Sequence, residues 1–121
     1  MLVLDTSAMI EIAKGTERGL KIGEFLKGKM FTTTSFSVYE ALFREKGTQK
    51  ISEMIDLMGV ISFDKESARI SIETERELKK SGKMINLLDI FIAAICINHG
   101  HEIVTCDEDF RKISKLKSHV F

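Results

Sequence analysis

Short apolar runs alternate along the chain with longer segments in which apolar residues recur every three to four positions. The short runs are typical of buried strands and the longer segments of amphipathic helices. Their alternation indicates an α/β fold built around a parallel sheet. The predicted strands are Leu2–Leu4, Met30–Thr33, Val60–Phe63, Ile103–Thr105 and His119–Phe121. The predicted helices are Thr6–Lys14, a segment from Leu20 to Leu26, Ser37–Glu45, Ile51–Met58, Lys65–Lys80, Asn86–Asn98 and Asp109–Leu116.

The first strand, Leu2–Leu4, is apolar on both faces, which predicts a central position in the sheet. The chain has 121 residues and no proline, repeat or low-complexity linker. We therefore expect residues 1–121 to form a single domain.

Composition excludes several classes of protein. The longest apolar run, Ile90–Ile97, is too short to span a bilayer. The N-terminus has no basic region and no cleavage motif of a signal peptide, so we expect a cytoplasmic protein. Cys96 and Cys106 match no zinc or redox motif and are expected to be reduced and structural.

The net charge is zero, so the whole chain does not indicate a polyanionic partner. Lysine and arginine nevertheless cluster locally. These clusters have two interpretations, a solvated helix face or a rim that attracts phosphate groups. The residues are Lys79, Lys80 and Lys83 in one stretch, and Arg111, Lys112, Lys115 and Lys117 in another.

Four acidic residues stand at equivalent places in the predicted fold. Asp5 ends the first strand, and Asp107 lies just beyond the fourth, which ends at Thr105. Glu40 and Asp89 each lie in the first turn of a predicted helix. In an open parallel sheet, the carboxyl ends of strands and the starts of neighbouring helices face one crevice. The four side chains are therefore predicted to converge.

Convergent carboxylates repel one another unless a cation or protons neutralise them. A hard divalent ion such as Mg²⁺ or Mn²⁺ suits a site made of oxygen ligands. Such an ion lowers the pKa of a bound water and contacts phosphoryl oxygens. The arrangement is therefore suited to cleaving a phosphodiester without a serine or histidine nucleophile.

Helix capping is the alternative role for each acid. Ser37 to Glu40 fits a capping box, and Asn86 fits an N-cap with Asp89 in the first turn. Asp5 and Asp107 also suit the N-cap position. The placement of all four acids at one end of the sheet favours a shared site.

Other polar residues lie near the same edge. Asp109 rivals Asp107 as the fourth acid. Thr6, Ser7 and Thr105 offer hydroxyl groups, as hydrogen-bond donors to the acids or as caps.

The segments around these acids resemble, in order, the motifs of the PIN-domain family, and in particular of VapC-like toxins from toxin–antitoxin pairs. They are Asp5-Thr6-Ser7, Ser37-Val38-Tyr39-Glu40-Ala41-Leu42, Leu88-Asp89-Ile90-Phe91-Ile92-Ala93-Ala94 and Val104-Thr105-Cys106-Asp107-Glu108-Asp109-Phe110. The order and spacing extend the resemblance over essentially the whole chain.

This resemblance implies a three-layer α/β/α sandwich around a mostly parallel five-stranded sheet. It implies an Mg²⁺- or Mn²⁺-dependent endoribonuclease, usually a homodimer, with a small VapB-like antitoxin as partner. The catalytic set would be Asp5, Glu40, Asp89 and Asp107, with Asp5, Asp89 and Asp107 holding the ion. The candidates for holding RNA phosphates are Lys79, Lys80, Lys83 and Arg111.

Two other functions fit the sequence less well than a nuclease does. A PIN fold that binds RNA or protein without cutting fits poorly, because a degenerate site should have lost a carboxylate. A phospho-receiver or a haloacid-dehalogenase-like phosphatase also fits poorly. The phosphatase would carry Asp-x-Asp at position 5, where the second position is Ser7.

Overall fold

The structure is a computed structural model that describes residues 1–44 and 49–121. Its strands form one sheet in the order β3-β2-β1-β4-β5, and every neighbouring pair is parallel. The predicted α/β class and five-stranded sheet are thus confirmed, and the sheet is entirely parallel. The strands are β1 (Leu2–Leu4), β2 (Phe31–Thr34), β3 (Gly59–Ile61), β4 (Glu102–Thr105) and β5 (Ser118–Val120).

The first six predicted helices form in the predicted order. The fourth, predicted at Ile51–Met58, lies at Gln49–Asp56, and the sixth, predicted at Asn86–Asn98, lies at Leu87–His99. The third helix begins two residues earlier than predicted, and its predicted end at Glu45 lies outside the described residues. The predicted helix Asp109–Leu116 is wrong, because only a 3-10 helix over Glu108–Lys112 forms there. The second helix begins at Glu17. The helices are α1 (Thr6–Lys14), α2 (Glu17–Leu26), α3 (Ser35–Arg44), α4 (Gln49–Asp56), α5 (Lys65–Lys80) and α6 (Leu87–His99).

Strand β1 alternates between two apolar clusters, one on each face of the sheet. Leu2 and Leu4 pack with residues of α1, α2 and α4. Val3 packs on the opposite face with residues of α5 and α6. Because successive side chains of a strand point to opposite faces, this central strand is buried on both sides. Helices therefore cover both faces, which confirms the three-layer α/β/α sandwich.

The order of the strands fixes where a crevice opens. Strand β1 pairs with β2 on one side and with β4 on the other, so the direction of winding reverses at β1. At such a reversal, the loops leaving neighbouring strands diverge and leave a crevice at the carboxyl end of the sheet. Asp5 directly follows β1, and Asp107 follows β4 by two residues.

Helices α1 and α2 pack unusually close together at Gly19. A Cβ atom at this position would lie 2.0 Å from the backbone oxygen of Glu11 in α1. The Thr16 hydroxyl caps α2 by accepting the Gly19 N–H at 3.0 Å. The sequence places a glycine where no side chain fits, and this contact fixes the helix that follows Asp5.

The described residues include both cysteines and all of the helices given above. Cys96 and Cys106 form no disulfide there, as predicted. None of the described helices is both long and apolar enough to cross a membrane.

Candidate active site

A cavity of about 300 Å³ opens at the carboxyl end of the sheet, beside β1. Its lining includes the four acids predicted to converge and also the rival fourth acid. These side chains come from the ends of β1 and β4 and from helices α3 and α6. The five carboxylates are those of Asp5, Glu40, Asp89, Asp107 and Asp109.

Asp5 is held by hydroxyl groups from both sides of the crevice. Its Oδ2 accepts hydrogen bonds from Thr105 Oγ1 at 2.8 Å and from Ser7 Oγ at 3.1 Å. Ser7 Oγ accepts the Cys106 N–H at 2.9 Å, and Thr105 Oγ1 accepts the Asp107 N–H at 3.0 Å. Asp5 occupies the N-cap position of α1 but makes no side-chain capping bond. Capping therefore does not account for Asp5.

Helix α3 brings Glu40 to the cavity from the neighbouring strand. The predicted capping box from Ser37 to Glu40 is wrong, because Thr34 Oγ1 accepts the Ser37 N–H at 3.1 Å and caps the helix earlier. The Glu40 carboxylate instead contacts Thr6 Oγ1 at 3.5 Å and Arg44 Nη2 at 3.4 Å. Arg44, which the sequence pattern did not predict, also lines the cavity. Its spacing of four residues from Glu40, one helical turn, is the signal that could have found it.

Helix α6 presents Asp89 in its first turn. Asn86 caps this helix as predicted, with its Oδ1 accepting the Leu88 N–H at 2.9 Å. Because Asn86 satisfies the end of the helix, the Asp89 carboxylate is left facing the cavity.

The cavity carries an excess of negative charge. Burial raises the pKa of Asp5, and the hydrogen bond from Thr105 is the largest opposing effect. Burial also raises the pKa of Glu40, which Arg44 partly offsets. Burial, followed by repulsion from the surrounding carboxylates, raises the pKa of Asp89 to about 7. The acids therefore destabilise one another's charged forms.

Asp107 and Asp109 differ in how far their charge is compensated. The Asp109 carboxylate forms an ion pair with Lys112 Nζ at 2.8 Å. Asp107 Oδ1 accepts the Asp109 N–H at 2.9 Å, and Asp107 raises the pKa of both Asp5 and Asp89. Asp107 thus acts electrostatically on two of the predicted acids, whereas Asp109, which also raises the pKa of Asp89, is paired with Lys112.

The donor set suits a hard, hydrated divalent ion. Every negative group in the cavity is a carboxylate, and burial together with the neighbouring carboxylates raises the pKa of Asp89. No three His, Cys, Asp or Glu side chains among residues 1–44 and 49–121 are arranged to hold a metal ion directly. Magnesium is typically bound by one or two carboxylates and keeps several waters, so these acids fit it.

The four basic residues predicted to hold RNA phosphates do not line the acidic cavity. Lys79 pairs with Glu75 at 3.5 Å and Arg111 with Glu108 at 3.1 Å, as expected for solvated helix faces. A role for Lys79, Lys80, Lys83 and Arg111 in binding RNA stays a prediction.

Comparison with known proteins agrees with this geometry. Residues 2–116 match the family model of the PIN domain. The chain is 34% identical over 96 residues to ribonuclease VapC3 of Methanocaldococcus jannaschii, in an alignment that covers 77% of this chain and 95% of that protein. It is 27% identical over 125 residues to ribonuclease VapC5 of Mycobacterium tuberculosis, which covers 96% of this chain and 90% of the relative.

A solved structure shares the fold at low sequence identity. It is the crystal structure of VapBC2 from Rickettsia felis bound to a DNA fragment from its promoter. The TM-score is 0.82 at 21% identity, and the alignment covers 99% of this chain and 98% of that one.

Proposed function

Because the chain belongs to the PIN-domain family, we propose that it is an Mg²⁺- or Mn²⁺-dependent endoribonuclease that hydrolyses single-stranded or structured RNA, with residues 1–121 as the nuclease domain. The observation that carries the proposal is the convergence of five carboxylates from four separate elements on one cavity. Such a concentration of negative charge is costly without a cation, and a divalent ion converts it into a phosphodiester-cleaving site.

Each acid has a role that follows from its surroundings. Asp5, Asp89 and Asp107 would hold a hydrated ion, with one or two of the carboxylates bound directly and the rest through its waters. When bound, the ion would lower the pKa of a water and offset charge on the phosphate. Thr105 and Ser7 orient the buried Asp5 carboxylate by donating to its Oδ2. The hydrogen bonds among these three side chains hold Asp5 in place between the ends of the adjacent strands β1 and β4.

Glu40 is the candidate general base. Burial raises the pKa of Glu40, which makes its carboxylate a better proton acceptor. In the proposed hydrolysis, a water oxygen bonds to phosphorus while the bond from phosphorus to O3′ breaks. The water gives its proton to Glu40, and O3′ leaves as a hydroxyl after taking a proton from solvent. One product then carries a 5′-phosphate.

The relatives also suggest a biological setting. Two of them are named VapC ribonucleases, and the similar solved structure is a VapBC complex. We propose that this chain acts in the cytoplasm as the toxin of a toxin–antitoxin pair, forms a homodimer and binds a small VapB-like antitoxin.

The test is cleavage of labelled RNA with Mg²⁺ or Mn²⁺ by wild type, Asp5→Asn and Asp89→Asn. We expect each substitution to cost at least the roughly 10- to 100-fold that accompanies loss of a residue supporting a metal site. Chelation with EDTA should abolish the wild-type activity, and the products should carry 5′-phosphates.

The matched control is Glu73→Gln, which removes one exposed carboxylate from the middle of α5. It should cleave as wild type does. Equal activity in wild type and both aspartate variants would contradict the nuclease assignment. An inactive wild type that still binds RNA would favour the non-catalytic module.

A further inference from the structure

Arg44 is the one cation among the described residues that line the acidic cavity. It ends α3, one helical turn beyond Glu40, so both side chains project from the same face of the helix. The basic residues singled out by charge density lie elsewhere. A positively charged side chain at the edge of an acidic cavity can attract an anion that would otherwise be repelled by the carboxylates.

The contact between Arg44 and Glu40 is loose. Arg44 Nη2 lies 3.4 Å from Glu40 Oε2, beyond the usual range of charge-assisted hydrogen bonds. The Arg44 side chain is 58% exposed, whereas that of Glu40 is 19% exposed. Because the contact is long and the Arg44 side chain is mostly exposed, the pair contributes little to stability, and the guanidinium can change partners at small cost.

An RNA strand that reaches the cavity must bring phosphates close to five carboxylates. The proposed divalent ion offsets charge at the scissile phosphate. The neighbouring phosphates of the RNA need other partners. Arginine suits this task because its planar guanidinium donates two parallel hydrogen bonds to one phosphate.

We propose that Arg44 binds a backbone phosphate of the RNA at the edge of the cavity, exchanging its contact with Glu40 for that phosphate. Arg44 is then a substrate-positioning residue. The inference rests on the proposed ribonuclease function and deepens it by naming the group that receives the substrate.

The experiment measures RNA affinity without cleavage. Fluorescence anisotropy with a labelled single-stranded RNA is recorded over a range of salt concentrations, for Arg44→Gln and Arg44→Lys in the Asp89→Asn background. Losing one charged hydrogen-bonding contact should raise the Kd of Arg44→Gln about 10-fold. The slope of log affinity against log salt should flatten by about 0.7, the value for one phosphate on a single strand. Arg44→Lys keeps the charge, so it should keep the salt slope while recovering only part of the affinity.

Arg69→Gln, in the same Asp89→Asn background, is the matched control. Arg69 also forms a pair within its helix, 3.1 Å from Glu66, and is 63% exposed, but it does not line the cavity. We expect its affinity and salt slope to equal those of the parent. The inference is overturned if Arg44→Gln binds within about twofold of the parent with the same slope.

Failure of the proposed nuclease function and failure of the proposed role of Arg44 would give different results. If the protein with Asp89 intact and its Asp89→Asn variant cleave RNA equally, the nuclease assignment fails whatever Arg44 binds. If cleavage depends on Asp89 but Arg44→Gln binds RNA like the parent, only the role of Arg44 is lost.

Discussion

Replacing Asp89 by asparagine should make the metal-free protein more stable at high pH. Burial and the neighbouring carboxylates raise the pKa of Asp89 from its ordinary value of 3.8 to about 7. In the folded protein the group therefore keeps its proton over a pH range in which the unfolded chain has lost it. The resulting stabilisation is complete below about pH 4 and is lost as pH rises through about 7.

The size of the effect follows from the shift. Three pKa units correspond to about 4 kcal/mol, at 1.36 kcal/mol for each unit. Asp89 is only partly buried, so solvent screening reduces this to roughly 1–2 kcal/mol. Asparagine has nearly the same shape and no charge, so the variant should escape the loss.

The assay is urea unfolding with EDTA at about pH 4 and about pH 8, for wild type, Asp89→Asn and the exposed control Glu73→Gln. The difference in unfolding free energy between Asp89→Asn and wild type should rise by roughly 1–2 kcal/mol in favour of the variant at the higher pH. The control should show no such change. A difference that is the same at both pH values would refute the reasoning.

A second arm adds Mg²⁺ at the higher pH. An ion that binds only the folded protein stabilises it by about 2.7 kcal/mol at 100 times its Kd. Wild type should gain stability and Asp89→Asn much less. The absence of any gain in wild type would mean that the carboxylates do not form a cation site.

Two further predictions concern groups that position the site. Thr105→Val removes the hydroxyl that donates to the buried Asp5 carboxylate, and should lower the unfolding free energy by about 1–3 kcal/mol in urea titrations, with a matching fall in RNA cleavage. Unchanged stability would show that this hydrogen bond is dispensable. Gly19→Ala should cost about 3 kcal/mol because the new methyl group meets the backbone of α1, whereas Gly23→Ala, with open space around it, should gain up to about 1 kcal/mol. Thermal melts that rank the two alanine variants in the opposite order would contradict the packing described for α1 and α2.

Much of the fold followed from local signals in the sequence. Helix α1 has the bounds predicted for it, because the glycine that marked its end in the sequence does end the helix. Gly15 adopts the left-handed conformation there, with φ of 66°. The same signal at Gly100, with φ of 67°, marks the end of α6. The convergence of Asp5 and Asp107 followed from the topology, since both leave the carboxyl ends of adjacent parallel strands.

The wrong predictions arose where several local signals compete or where packing decides. Thr34, Ser35 and Ser37 are all good capping residues, and composition cannot say that the helix begins immediately after β2. The predicted helix from Asp109 stops early because Ile113 and Leu116 are drawn into the second apolar cluster, with Ile113 in an extended conformation.

Arg44 was missed for a different reason. The density of positive charge along the chain predicted Lys79, Lys80 and Lys83 as phosphate-binding residues. A single arginine carries no such density. Only its helical spacing from Glu40, read together with the location of the cavity, indicates a role.

The hydrogen bond from Thr105 to Asp5 joins residues 100 positions apart, which has a consequence for the order of synthesis. During synthesis, Asp5 leaves the ribosome about 100 residues ahead of Thr105, well before the hydroxyl that orients it has been made. Truncated products that end before β4 should therefore lack both the Thr105 hydroxyl and the carboxylate of Asp107. The proposed ribonuclease activity should accordingly appear only once β4 has been made and has paired with β1.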